Sequence, residues 1–390
     1  MITEKLFESK PYLKEFDANV CSCTAEKNAW TVVLDRSAFY PEGGGQPCDL
    51  GVLGGARVLD VHQKDGVIVH TVDAPLSGTV HGCIDWDRRF DLMQQHSGEH
   101  LISGTVHRLF GYENVGFHMG ADLITIDFSG MLRMEDLARV EAIVNAAIWQ
   151  NLETQVRYYE AESVCPEDYR SKKAISGRLR LVEFPGVDLC ACCGTHVART
   201  GEIGLVKLLS VVKFHQGARV ELVCGKRAYE YLAAVTAQNR AISGLLSAKP
   251  FETAAAVERT LAELNELKQE KARWEGRCFA SISASLRDAG DVLLFEENLS
   301  PDSVRRLCVE VMAVCGGRCA VFSGTDETGY AYAVGLENGD LRAFVKDMNV
   351  ALNGRGGGKP NFAQGRTAVT RAEIRDFFLK NIATCYDDMV

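Results

Sequence analysis

Hydrophobic positions change their period several times along the chain, and each change marks a boundary. Between residues 18 and 85, short runs such as TVVLD, ARVLDVHQ, GVIVHTV and GTVHGCID are rich in β-branched residues and punctuated by Gly, Asp and Pro. They predict short strands, and a small barrel is the natural way to close so many of them. From Asp87 the period becomes helical. Phe90, Met93, Leu101 and Leu109 fall on one stripe, and Gly111 stands where a helix would end. A second helix is expected from Met134 to Leu152, with Leu137, Val140, Ile143, Val144 and Ala147 on one face. Strand-like pieces return at LITIDF, LRLVEF, GLVKLLSVVKF and RVELVCG, so this middle region reads as α+β.

From Lys226 to about Leu286 the chain reads as helical, with Pro250 in a connection. Val257, Leu261, Leu264, Leu267, Trp274 and Ile282 form a seam suited to an antiparallel hairpin or a dimerising coil. After Asp291 strand and helix patterns alternate, ending in a Gly-rich loop. The expected fold class is α+β in four parts. These are a β-barrel at 1–86, an α+β metal-binding domain at 87–225, a helical linker or dimerisation segment at 226–290, and an α/β domain at 291–390.

No apolar run is long enough to span a membrane, and the first residues lack a secretory h-region. The 14 cysteines show no small-scaffold spacing, so thiols in a reducing cytoplasm are expected. Net charge is −9, which argues against general nucleic-acid coating. Its distribution changes that picture. Residues 342–380 carry eight basic side chains against three acids. One local basic face on an acidic protein suits one polyanion docked in one place, or a solvated surface with no partner.

Two short motifs carry candidate chemistry. HSGEH places His96 and His100 at i and i+4 on the predicted helix, so both imidazoles can meet one metal ion. It is not HExxH, since Glu99 precedes His100, so a protease reading is weak. Glu99 is a candidate proton handler or a solvent-facing helix residue. CCGTH offers Cys192 and His196 beside a turn at Gly194. Two His from one motif and a Cys with a further His from the other make the mixed N/S set that zinc favours. GRGGGKPNFAQG is not a P-loop, because it lacks the GKS or GKT ending. Its glycines would let backbone approach a phosphate, with Arg355 and Lys359 beside it, or would simply make a tight turn.

Together these segments resemble a known family. MQQHSGEHLISG followed by CCGTHVARTGEIG is similar to the alanyl-tRNA editing proteins of AlaX type, relatives of the editing domain of alanyl-tRNA synthetase. FYPEGGGQP resembles the Gly-Gly-Gln segment of their barrel, RVELVCGKRAYEYL the close of the editing domain, and LNGRGGGKPNFAQG a loop of the DHH-associated domain. The resemblance implies a zinc site of His96, His100, Cys192 and His196, which would also be the catalytic residues. It implies Gln46 and Thr195 in the substrate pocket and tRNA contacts at Arg355 and Lys359. The family usually has CGGTH; Cys193 here replaces a Gly. Cys192 keeps the ligand spacing, which leaves Cys190 and Cys193 as bystanders. The implied activity is cytoplasmic hydrolysis of mischarged tRNA(Ala), with Ser-tRNA(Ala) as substrate and a homodimer through the helical segment or C-terminal domain. The alternatives are a threonyl-type deacylase that works without zinc and a non-enzymatic tRNA-binding module with structural zinc.

Overall fold

In the computed structural model, six strands pair so that the last returns to the first. Their order is Glu15–Glu26, Ala29–Leu34, Val67–Val72, Ala56–Lys64, Gly51–Leu53 and Thr79–Ile84, a closed barrel. Strict alternation explains the closure. Val67–Val72 and Thr79–Ile84 bury every second residue, so Ile68, His70, Val72, Val80 and Ile84 point inward. The first strand is 12 residues long, and its outer half is largely exposed. That polar half gave little periodic signal in the sequence. The structure describes residues 2–160, 165–171 and 177–380 and the backbone of 384–387.

The chain divides into two compact units, residues 1–241 and 242–390. The expected barrel and metal-binding regions both lie in the first. The reason is the helix Trp86–Phe110, which leaves the barrel directly. Asp85 caps it by accepting from the Arg88 amide at 3.2 Å, and Gly111 ends it at φ 69°. Arg89, fully buried, joins this helix to the barrel. It pairs with buried Asp49 and donates to the Ala38 and Pro11 carbonyls at 2.6 and 2.9 Å.

The helix packs against a four-stranded antiparallel sheet, ordered Val206–Phe214, Gly217–Cys224, Ile124–Phe128, Asn114–Met119. Helix Met134–Trp149 covers it with Leu137, Val140, Val144 and Ile148. A separate smaller sheet, Gln155–Tyr159, Leu179–Phe184 and Asp188–Ala191, meets the helix Trp86–Phe110 through its last strand. The helix Gly225–Leu245 then runs across the boundary between the units.

In the second unit, helix Thr253–Ser285 buries Phe279 and Ile282 but exposes Val257, Leu261, Leu264, Leu267 and Trp274. A six-stranded mixed sheet follows, with Gly290–Glu296 parallel to Gly316–Thr325 and to Thr384–Asp387. The remaining pairings are antiparallel: Gly316–Thr325 with Gly329–Leu336 and Arg355–Lys359 with Phe362–Thr367 are hairpins, while Gly329–Leu336 meets Phe362–Thr367 after an intervening helix and strand. The Gly-rich segment is not a loop. Arg355–Lys359 is an exposed edge strand paired with Phe362–Thr367. A Cβ at Gly356 or Gly358 would come within 2.3 or 2.1 Å of the partner backbone, so glycine permits this close pairing. Residues 381–383 and 388–390 of the expected C-terminal domain lie outside the described residues. No described helix is long and apolar enough to cross a membrane.

Candidate metal centre

A helix that carries QQHSGEH through a protein interior needs a partner for each polar group it buries. Gln95 exchanges hydrogen bonds with the Cys224 backbone, donating to its carbonyl and accepting from its amide, both at 2.9 Å. The helix comes this close because it carries glycine. A Cβ on Gly98 would meet Cys224 Sγ at 2.3 Å, and one on Gly104 would meet Asp188 Cβ at 2.6 Å. His96 and His100 are therefore buried, at 3% and 2% exposure.

The CCGTH segment reaches the same point from the other side. It leaves the strand Asp188–Ala191, and Arg180 clamps its turn by donating from Nη1 to the Cys192 and Gly194 carbonyls at 2.7 and 3.0 Å. Gly194 lies against His96, where a Cβ would sit 2.2 Å from Cε1. Cys192 Sγ is 3.5 Å from His96 Nε2 and 3.3 Å from His196 Nε2. One ligand atom each from His96, His100, Cys192 and His196 falls within 4.8 Å of the others.

These separations test whether a metal fits. A tetrahedral zinc with Zn–S of ~2.3 Å and Zn–N of ~2.0–2.1 Å holds sulfur and nitrogen about 3.5 Å apart. The imidazoles are also turned the right way. His96 Nδ1 donates to Gln46 Oε1 at 2.8 Å, and His100 Nδ1 donates to Asp188 Oδ2 at 2.9 Å. His196 Nδ1 lies 3.2 Å from Ser97 Oγ. Each ring engages its Nδ1 elsewhere and points Nε2 at the thiol, the arrangement that fixes a metal-ligating tautomer. The residues present fit zinc.

The electrostatics favour a thiolate. Burial alone would raise the Cys192 thiol, but His96, His196 and His100 around it draw it well below its ordinary value. Burial opposes charge on His100 too, yet the Cys192 charge and the Asp188 hydrogen bond lift it to about 10. Burial pushes His196 down to about 3. Metal binding would take the place of the His100 proton and release it.

The other expected residues fall in definite places. Glu99 does not face solvent. It is 3% exposed, accepts from Ser103 Oγ at 2.7 Å and pairs with Asn114, because the whole polar face of the helix is covered. Gln46 is fully buried; its amide nitrogen donates to Thr195 Oγ1 at 2.8 Å and its oxygen accepts from the Thr195 amide at 3.2 Å. Both side chains thus stand behind His96. The Gly43–Gly45 turn makes this possible, with Gly44 and Gly45 at φ 61° and 86°. Cys190 is buried, while Cys193 is exposed beside a cavity of about 870 Å³ that His196 also lines. Arg355 and Lys359 are exposed on the edge strand of the second unit; Lys359 flanks a cleft of about 400 Å³ shared with Arg342 and Lys346. The sequence did not disclose Ser97, Asp188, Arg170 or Arg180. Asp188 receives Arg170 Nε and Nη2 at 2.7 and 2.9 Å, which makes a chain Arg170–Asp188–His100.

Comparison with known proteins adds to this geometry. A family model described as the threonyl and alanyl tRNA synthetase second additional domain matches residues 179–221. One described as tRNA synthetases class II (A) matches residues 9–88. The alanyl-tRNA editing protein AlaX-L of Pyrococcus horikoshii is 28% identical, over 98% of this chain and 98% of that one. The alanine–tRNA ligase of Ignicoccus hospitalis is 30% identical over 93% of this chain, which spans 41% of that enzyme. That of Halobacterium salinarum is 32% identical over 93% of this chain and 42% of its own length.

Proposed function

We infer that the chain belongs to the alanyl-tRNA editing proteins of AlaX type, and we propose that it hydrolyses the aminoacyl ester of mischarged tRNA(Ala). Ser-tRNA(Ala) is the proposed substrate. The observation that carries this reading is the convergence of three oriented imidazoles on the Cys192 thiol beside a cavity wide enough for a nucleotide. The whole-length similarity to an editing protein supports it.

His96, His100, Cys192 and His196 would hold zinc, which supplies Lewis-acid polarisation of the ester carbonyl. The chain's own residues do the rest. Gln46 and Thr195 hold the His96 ring, and Ser97 sits against His196. Arg170 fixes both oxygens of Asp188, so that carboxylate keeps one orientation toward His100. The helix is buried through its middle turns, and the cavity that His196 lines offers the ester a way in.

Serine differs from alanine by one hydroxyl. A site that hydrogen-bonds this group can reject the analogue lacking it by as much as ~10⁴-fold. Purified protein should therefore deacylate Ser-tRNA(Ala) and spare Ala-tRNA(Ala), contain about one zinc per chain, and lose activity to a chelator. Cys192→Ala should lose metal and hydrolysis together, while Cys193→Ala keeps its zinc. Full activity after chelation would favour the zinc-free reading, and equal hydrolysis of Ser- and Ala-tRNA(Ala) would sink the proposed specificity.

A further inference from the structure

The barrel brings together a second set of metal-ligating side chains, and it shares no residue with the first. Glu42, Asp60 and His62 each place one ligand atom within 4.8 Å of the others. Two segments supply them. Asp60 and His62 stand two apart on the strand Ala56–Lys64, so they share a face. The neighbouring strand Gly51–Leu53 pairs with this one only from Ala56 to Val58, which leaves the edge beyond open. Glu42 takes that edge, its amide donating to the Val61 carbonyl at 2.9 Å. Its side chain is therefore registered against Asp60 and His62 by the backbone. Asp60 is anchored from behind. Its Oδ1 accepts from the Val61 amide at 2.8 Å and from the buried Cys48 thiol at 3.4 Å, while its Oδ2 meets His62 Nε2 at 2.5 Å. A carboxylate fixed at one oxygen and presenting the other beside an imidazole is how supporting hydrogen bonds orient a metal ligand. Among the described residues neither Glu42 nor Asp60 forms an ion pair with a lysine or arginine. Two carboxylates gathered without a cation repel each other, and a divalent ion removes that repulsion.

We propose that Glu42, Asp60 and His62 bind a second divalent transition-metal ion, which clamps the Gly43–Gly45 turn to the barrel. The inference stands apart from the deacylase reading. An imidazole with two carboxylates is a mixed N/O set, which suits zinc or manganese, whereas calcium and magnesium favour oxygen alone. Glu42 and His62 are exposed, so an ion reaches them directly. Three ligands at the surface hold an ion less firmly than four buried ones. The second ion is therefore exchangeable, and protein freed of loose metal keeps about one zinc. The clamp bears on the first centre through the chain itself. Glu42 opens the turn, and Gln46 at its end accepts from His96 Nδ1 at 2.8 Å. An ion joining Glu42 to the strand steadies the turn on the side away from that hydrogen bond.

The test titrates zinc chloride, by calorimetry, into full-length protein that has been desalted and already holds its tight zinc. One further equivalent should bind. His62→Ala and Glu42→Gln alter exposed side chains, so the fold survives, and each should weaken this second event about tenfold or more. His81 is the control. It is another exposed histidine of the barrel, 2.9 Å from Asp17 and 3.6 Å from Glu15, and His81→Ala should bind the second ion as the wild type does. Calcium at the same concentration should not compete, because the imidazole is a poor ligand for it. Hydrogen exchange reads the clamp: the amides of Gly43 to Gln46 should exchange more slowly once the second equivalent is bound, and His62→Ala should show no such slowing. No further binding at millimolar zinc overturns the site. So does undiminished binding in both variants, or a loss in His81→Ala in their place. Equal competition by calcium would reduce the cluster to an acidic patch with loose counter-ions and also overturns it. Second-site binding that leaves the turn amides exchanging at their former rate overturns the clamp.

Discussion

Asp188 occupies a position that only a folded centre explains. It is 7% exposed, receives the His100 Nδ1 proton, and is itself held at both oxygens by Arg170. An imidazole anchored in this way keeps Nε2 on the metal and gains basicity as a ligand. Asp188→Asn keeps the shape but offers a weaker acceptor, and can turn its amide nitrogen toward the ring. Zinc affinity should fall by about 10–100-fold, measured by competition with a chromophoric chelator. Arg170→Gln should weaken zinc less, because it frees Asp188 to move without removing it. Unchanged zinc affinity in Asp188→Asn would mean that His100 does not ligate. A second buried histidine, His70, sits inside the barrel, with Nε2 2.8 Å from Ser37 Oγ and Nδ1 3.2 Å from the Val32 carbonyl. Burial holds it down to about 4, against an ordinary value of 6.5. The sign follows from linkage. Above pH 6.5 the ring is neutral in both folded and unfolded chains. As pH falls through 6.5 the unfolded chain binds the proton first, so stability drops until the folded ring titrates near pH 4. The loss across that window is roughly 3 kcal/mol. Urea unfolding at pH 7 and pH 4 should show it, and His70→Gln should have a flatter profile by about that amount.

At the scale of elements, what the sequence discloses depends on whether the signal is local. Spacing alone picks out His96 with His100 and Cys192 with His196, because i/i+4 on a helix and a turn at Gly194 are local geometry. Four of the six barrel strands and the Gly111 end of Trp86–Phe110 are legible for the same reason. Ser97, Arg170 and Asp188 are not, since no periodicity marks a residue whose role is to meet a partner 18 to 99 positions away. Glu99 misleads because a charged residue on a helix ordinarily faces water, whereas this helix is covered on every side in its middle turns. The Gly-rich segment misleads because glycine signals turns more often than strands, yet close strand pairing needs it equally. The covering of Trp86–Phe110 depends on Gly98. Gly98→Ala would drive a methyl into Cys224 Sγ and should destabilise the first unit by about 1–3 kcal/mol, read in thermal unfolding. Pairing it with Cys224→Ala should restore much of that loss, since the sulfur is the atom in the way. If the double variant unfolds no later than the single one, the helix is not held at the distance described.

For the whole molecule, the candidate metal centre and the basic stretch fall in different units. The centre that would cut the ester lies in residues 1–241, and the basic stretch between Arg342 and Lys380 lies in residues 242–390. Eight basic residues against three acids give this stretch +5, on a chain whose total is −9. Two of them, Arg355 and Lys359, bracket the exposed glycines of the edge strand, and Arg342 and Lys346 line the cleft beside it. A bare glycine edge flanked by cations lets a phosphate backbone approach unpaired amides without steric conflict. We therefore expect the second unit to grip the body of the tRNA while the first takes its charged end. Phosphate contacts carry a measurable signature. The slope of log affinity against log salt scales with their number, at roughly 0.7–0.9 per contact. Arg355→Ala and Lys359→Ala should each weaken tRNA binding uniformly across charged and uncharged tRNA and flatten that slope by just under one. Zinc content should not change, because all four candidate ligands lie before residue 200. Hydrolysis of Ser-tRNA(Ala) should then fall through KM, whereas hydrolysis of a short acceptor-stem substrate that cannot reach the second unit should be unaffected. Titrations at two salt concentrations decide the matter. Variants that bind tRNA as tightly as the wild type, with the same slope, would assign the basic stretch to solvent rather than to RNA.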